Sequence, residues 1–217
     1  RRTEITRAWE AAAFPVDPRI SNSERASVSA NDSHFVYANT LGFMAGYPSS
    51  RHHISCPVIA GKDDAMQRDD WYTSARDPEL LDRPDSVGET AGRRALRRLG
   101  SRKIGTVQVP VVFEAPLATG LLGHFVSAVS GGNLYRKASF LLDAQGKQVF
   151  APHITIAERP HLPKGLASSA FDDEGVATQT RDVVAGGILQ GYFLGTYSGR
   201  KLGLPSTGNA GGSHNLT

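Results

Sequence analysis

Apolar residues recur at helical spacing along one stretch of the chain, where Leu117, Leu121, Leu122, Phe125, Val126 and Val129 follow one another. Pro116 stands just inside the start, where its missing N–H costs no hydrogen bond, and Ser130-Gly131-Gly132 ends the run. The spacing predicts a helix over 116–130. The stretch is apolar nearly all round, which predicts a buried helix rather than a surface one. It is too short and too closely flanked by charge to span a bilayer. His124 is the one ionisable residue inside it.

A second helix is expected over 86–99. Ser86 and Glu89 read as a Ser-x-x-Glu capping box with Pro84 just upstream, and Gly100 sits where a C-terminal glycine belongs. Val87, Ala91, Ala95 and Leu99 line one face. Glu4 to Ala13 reads as the end of another helix, broken at Phe14-Pro15-Val16-Asp17-Pro18.

Elsewhere the pattern is that of strands. Ala26–Ala30 and Phe35–Ala38 flank Asn31-Asp32-Ser33, which predicts a hairpin turn, and Arg51–Ala60 and Met66–Ala75 continue the sheet. Thr106–Phe113 is expected as a strand leading into the apolar helix, and His153–Ala157 as another. Arg181–Val184 and Gly187–Leu194 predict a hairpin turning at Ala185-Gly186, followed by a short helix over 196–202 and a glycine-rich loop over 206–212. The expected fold is α+β: mostly antiparallel sheets, one solvated face, and a buried central helix. The sole shift in composition falls at Lys103–Gly105, so residues 1–103 are expected to end an N-terminal α/β domain. Residues 104–217 are then expected to begin a sheet-rich C-terminal domain carrying helix 116–130.

Composition narrows the classes only a little. The 217 residues are 40% hydrophobic and 21% charged, with a net charge of +3, which is ordinary for a soluble globular protein and argues for no acidic partner. The lone cysteine, Cys56, excludes an internal disulfide and a cysteine-rich zinc framework, and suits a reducing cytoplasm. No signal peptide or membrane span is read. The chain starts at Arg1 rather than Met and stops in a polar stretch, so it is expected to be a piece of a longer protein.

Candidate chemistry is sparse. Arg93, Arg94, Arg97, Arg98, Arg102 and Lys103 make a basic face, readable as a nucleic-acid patch or as cations complementing a helix C-terminus. No aromatic residues are interleaved for base stacking, which favours the second reading. No His-Glu-x-x-His is present, and adjacent His52 and His53 point to opposite faces of a strand. Asp172, Asp173 and Glu174 before Gly175 could hold a hard cation. Their spacing fits a turn better, with side chains holding backbone N–H groups. The loop Ser-Thr-Gly-Asn-Ala-Gly-Gly over 206–212 lacks a phosphate-loop ending but can approach an extended ligand through bare backbone.

Several stretches together resemble one family. They are Val36–Phe43 (VYANTLGF), Arg68–Arg76 (RDDWYTSAR) and Phe113–Asp143, with FDDEGVATQTRDVV, GGILQGYFLGTYSGRKLG and the closing STGNAGG. Across essentially its whole length the chain resembles the TldD/PmbA family, and within it the PmbA (TldE) branch. The resemblance implies a cytoplasmic two-subunit metallopeptidase in which a TldD-like subunit binds zinc through a His-Glu-x-x-x-His helix. The PmbA-like subunit is expected to pair with it and help enclose an extended peptide. Maturation of a peptide antibiotic, antitoxin turnover and an indirect link to DNA gyrase are the associated roles.

Set against the zinc-binding helix, this chain reads Leu121-Leu122-Gly123-His124-Phe125-Val126-Ser127-Ala128. Gly123 stands at the first histidine's place, His124 at the glutamate's and Ala128 at the second histidine's. Glycine and alanine cannot donate to a metal, so no zinc is expected here, only in the TldD-like partner. No catalytic residue is assigned. The substrate-cleft candidates are His124, expected to be a buried neutral histidine or to face the cleft, with Asp172, Asp173, Glu174, Gly175, Thr207, Gly208 and Asn209. A homodimer stays open for the isolated chain. A DNA- or gyrase-associated regulator using the 93–103 face is the alternative.

Overall fold

Buried side chains fall into two separate clusters, and chain contacts divide the molecule accordingly into Arg1–Ser33 with Pro48–Gln108, and His34–Tyr47 with Val109–Thr217. The computed structural model describes residues 2–217. In chain order the first elements are helix α1 (Arg2–Ala11), strands β1 (Ile20–Ser23), β2 (Ser27–Ala38), β3 (Met44–Ala60) and β4 (Gln67–Ala75), and helix α2 (Pro84–Arg97).

The first unit is built on the inner half of β3. Ile54, Cys56, Val58 and Ala60 alternate inward and are all buried, as a strand with one covered face requires. β4 pairs antiparallel beside it from His52 opposite Ala75 to Ala60 opposite Gln67, and β1 pairs with Ser23 opposite Val58. Val87, Ala91 and Ala95 of α2 and Trp9 of α1 close the core over that face. Close approach of the two helices needs Gly88, because a Cβ there would collide with the Trp9 carbonyl oxygen.

Three local expectations are corrected. α2 begins at Pro84 with Arg83 as a cap residue whose side chain pairs with Asp85 instead of capping the helix, and Ser86 lies within the helix rather than at its cap. Its carbonyl accepts from the Thr90 hydroxyl at 2.7 Å. Asn31-Asp32-Ser33 is no turn: β2 runs straight through it, and the reversal comes at Asn39–Phe43. There Asn39 N–H donates to the Phe43 carbonyl at 2.9 Å and Gly42 takes φ +91°. Finally, Thr106–Phe113 forms no strand, and every residue from 101 to 115 is exposed.

The second unit takes the distal ends of β2 and β3, then α3 (Ala115–Ala128), α4 (Gly131–Tyr135), β5 (Ile156–Glu158), β6 (Arg181–Ala185), β7 (Ile188–Leu189) and α5 (Thr196–Leu202). β5, β6 and β7 form an antiparallel sheet in that order. Its core gathers Val129, Val183, Val184, Leu189, Phe193 and Leu194. The expected boundary near Lys103 thus compares with an observed division after Gln108, with residues 34–47 counted in the second unit.

The α+β class with antiparallel sheets is as expected. The central helix is not buried along its length. α3 covers only Phe125 and Ala128, while Leu117 and Leu121 are 62% and 50% exposed. Among the described residues nothing covers its first two turns, where Leu122 is exposed as well. No helix among the described residues is long and apolar enough to cross a membrane.

Candidate functional site

The second unit holds a cleft of about 440 Å³ between α4, the start of α5, the loop 209–213 and Glu174. Glu174 enters the cleft from a turn that one carboxylate holds. Asp172 is buried, and its Oδ1 accepts from the N–H groups of Glu174 and Val176, both at 2.9 Å. Its Oδ2 accepts from Ala210 N–H at 2.9 Å, and Asp173 N–H donates to the Ala210 carbonyl at 3.1 Å. Every short contact of this carboxylate is therefore with backbone donors, which leaves it the holder of a turn and of the loop packed upon it.

Glu174, next in the turn, reaches the cleft wall. Its Oε2 accepts from Thr196 N–H at 2.6 Å and from the Thr196 hydroxyl, at the start of α5. Gly175 takes φ +79° against the rings of Tyr37 and Phe43, so a Cβ there would press on Tyr37 at 2.8 Å. Those rings belong to an aromatic group around Phe171, which meets Phe43 and Tyr47 edge-on with centroids 5.3 Å apart. The turn is thus braced by the hairpin tip from behind and by α5 from the side.

The glycine-rich loop is pinned by a network that sequence reading missed. Glu158, at the end of β5, is 1% exposed. Its Oε1 accepts from Asn209 Nδ2 at 2.7 Å and His214 N–H at 2.9 Å, and lies 3.0 Å from His214 Nδ1, which donates in the tautomer protonated there. Its Oε2 accepts from Arg181 Nε at 2.9 Å. Burial alone would push this carboxyl up; the bonds from His214, the Arg181 charge and the Asn209 amide outweigh it and hold it below the usual range. Arg181 also donates to Asn209 Oδ1 at 3.1 Å and lies over the Phe193 ring. Thr207 lies 2.7 Å from Asn209 Oδ1, and its N–H donates to the Leu194 carbonyl at 2.9 Å. Gly208 takes φ +71° over the Ala177 carbonyl.

Of the sequence candidates, the structure brings Asp172, Asp173, Glu174, Gly175, Thr207, Gly208 and Asn209 into one neighbourhood, with Glu174 and Asn209 on the cleft surface. His124 is elsewhere. It is exposed, not buried, between a polar hollow with Ser127, Asn133 and Ser139 and an apolar one with Leu121, Phe125 and Phe150. Glu158, Arg181 and His214 escaped sequence reading because 23 positions separate the first from Arg181 and 56 from His214. The one local signal was an acid closing an otherwise apolar strand.

A zinc ion is what the resemblance would place on α3, and the donors there do not fit it. Gly123 and Ala128 offer nothing, and His124 stands alone. Among the described residues no three His, Cys, Asp or Glu side chains converge as a metal ligand set would. Three of the six cations of the basic face are held in ion pairs: Arg93 with Glu89 at 3.1 Å, and Arg94 and Arg98 with Asp69 at 3.3 and 3.7 Å. The Arg94 guanidinium also covers Trp71.

Comparison with known proteins adds the following. Residues 1–99 match the PmbA/TldA metallopeptidase central domain, and residues 106–217 the PmbA/TldA metallopeptidase C-terminal domain. The chain is 48% identical to the metalloprotease PmbA homolog of Haemophilus influenzae over 99% of its own length and 48% of the relative's. It is also 48% identical to metalloprotease PmbA of Escherichia coli O157:H7, covering 98% of this chain and 47% of that one. It spans about half the length of these curated relatives. A solved Bacteroides thetaiotaomicron protein, bearing the provisional name of a modulator of DNA gyrase, superimposes with a TM-score of 0.91 at 28% identity over all of this chain and 49% of that one. TldE from Thermococcus kodakarensis shares the fold, at a TM-score of 0.74 and 18% identity over 99% of this chain and 50% of that one.

Proposed function

The chain belongs to the PmbA/TldD metallopeptidase family, and from that premise we propose that it is the part of a PmbA-type, zinc-free subunit that helps hold peptide for a TldD-like zinc subunit. The observation that carries the reading is α3: a helix in the place where the family's metal site would stand, keeping its apolar residues and lacking metal donors at Gly123 and Ala128. Catalysis would then belong to the partner, and this chain would contribute binding surface.

The cleft beside α4 supports a role in binding an extended peptide. Gly131, Gly132, Gly195, Gly211 and Gly212 line it, so an incoming main chain meets backbone with few side chains in the way. Tyr135 and Tyr197, packed edge-on with centroids 5.6 Å apart, offer apolar walls with a polar tip. The backing turn and the Glu158 network hold that surface rigid, which lowers the entropy lost on binding. The buried, unpaired Cys56 fits action in a reducing cytoplasm.

The test is copurification of the full-length protein with its TldD-like partner, followed by peptide-cleavage assays on each alone and on the mixture. Cleavage by the mixture and by the TldD-like subunit only in company supports the reading. One zinc bound per chain of this protein, or cleavage by it alone, overturns it. The alternative of a DNA- or gyrase-associated regulator rests on the basic 93–103 face and on the name carried by a structural relative, and the pairing of Arg93, Arg94 and Arg98 with carboxylates weakens it. Duplex DNA binding that falls steeply as salt rises would revive that alternative.

A further inference from the structure

Among the residues lining the cleft beside α4, Glu174 alone carries a charge. One oxygen of its carboxylate is fixed. Oε2 accepts from the N–H and hydroxyl of Thr196 and lies against Gly195, where a Cβ would come within 3.4 Å of it. Oε1 has no hydrogen bond, and among the described residues no Lys, Arg or His pairs with this carboxylate. Bracing the start of α5 needs one acceptor oxygen, which a glutamine would supply as well. The negative charge is in excess of that task.

Given the peptide-binding role proposed above, on which this step rests, we infer that the cleft selects peptides by an ammonium group placed against Glu174 Oε1. Either a free amino terminus or a lysine side chain would supply it. An ammonium has three N–H donors and no acceptor, and its bond to a carboxylate is of the strong, charge-assisted kind. The rest of the lining does not oppose it, since Ser130, Tyr135, Tyr197, Ser198, Asn209 and Ser213 are neutral. The two tyrosine rings favour the same sign of charge. Arg136 already lies over Tyr135 and Lys201 over Tyr197, 5.4 and 5.6 Å from the ring centroids. Both of those cations are exposed and outside the lining, so solvent screens their effect on a guest more than it screens Glu174. An acidic group at the same place would meet like charge in a half-buried wall and be disfavoured.

Calorimetric titration tests this on the full-length protein, alone and with its TldD-like partner in EDTA so that no peptide is cut. The probes are octapeptides of Ala, Gly, Val and Ser with an amidated C-terminus, in three forms: with a free amino terminus, N-acetylated, and N-acetylated with one central lysine. The free-amine form, the lysine form or both should bind about tenfold more tightly than the neutral peptide, and whichever does so identifies the source of the ammonium. That advantage should shrink as salt rises, a check that needs no variant. Glu174→Gln keeps an acceptor for Thr196 and removes the charge. It should reduce the advantage to about twofold or less, with the affinity for the neutral peptide and the melting temperature unchanged. Equal binding of charged and neutral peptides, a preference indifferent to salt, or one that survives in Glu174→Gln would each overturn the inference and leave peptide binding standing. Failure of all three peptides to bind the wild type would instead remove the peptide-binding role, and this selectivity with it.

Discussion

Glu158 shows what a single residue does here. It is a nearly inaccessible carboxylate whose two oxygens are held by Arg181, Asn209 and His214. Removing the acid leaves a partly buried guanidinium and the Asn209 amide without their acceptor, so Glu158→Ala should cost about 3 kcal/mol in a denaturant titration. The sign of the pH effect follows from the direction of the shift. A carboxyl held below its ordinary value of 4.5 contributes stability that is full above that value and is lost as pH falls through the lower folded value. Wild type should therefore lose more stability than Glu158→Gln between about pH 4.5 and strongly acid solution, measured as urea midpoints. Parallel pH profiles would show that the charge does not matter. Neighbouring Asp172 was legible as a turn residue because its donors are two and four positions away, Ala210 aside. Glu158 was not, because all its side-chain partners are remote in sequence.

Among elements, those fixed by local chemistry were readable and those fixed by neighbours were not. α5 forms over Thr196–Leu202 as its sequence suggests, and β4 at Gln67–Ala75 lies within one residue of expectation. β2 was misread because most of its residues are exposed, so the polar run at 31–33 is tolerated in a strand and mimics a turn. α3 was misread as buried because apolarity all round implies a cover without saying which molecule supplies it. Its glycines sharpen the point. A Cβ at Gly120 or Gly123 would meet nothing within 4 Å. Alanine at each should therefore stabilise this chain by about 0.5–1 kcal/mol, through the entropy of the unfolded state and helix propensity. The same change at Gly88 should destabilise it, because the Trp9 carbonyl already occupies the space. Thermal melts of the three variants give the comparison, and a loss at Gly123 in the isolated chain would mean that α3 is packed after all.

At the scale of the whole molecule, sequence order and structural order part at one place, and a cut tests it. The sequence suggests two consecutive domains meeting near Lys103, but residues 34–47 count with the second unit. Three aromatic side chains carry that assignment: Phe35, Phe43 and Tyr47 ring Phe171, with centroids between 5.3 and 5.9 Å. The Tyr47 hydroxyl also lies 2.9 Å from that of Ser169. Arg102 and Lys103 stand in the long exposed stretch, which makes them the first expected sites for brief trypsin treatment. If the units simply followed the chain, the fragments ending and starting there would separate on a native sizing column. Because the aromatic tip of the first fragment is part of the second unit's packing, the fragments should instead co-elute and part only in denaturant. Phe171→Ala removes the ring on which the others converge, a loss of about 3–5 kcal/mol for a buried phenylalanine, and should release the two pieces after the same cut. Separation of the wild-type fragments would assign the hairpin tip back to the first unit.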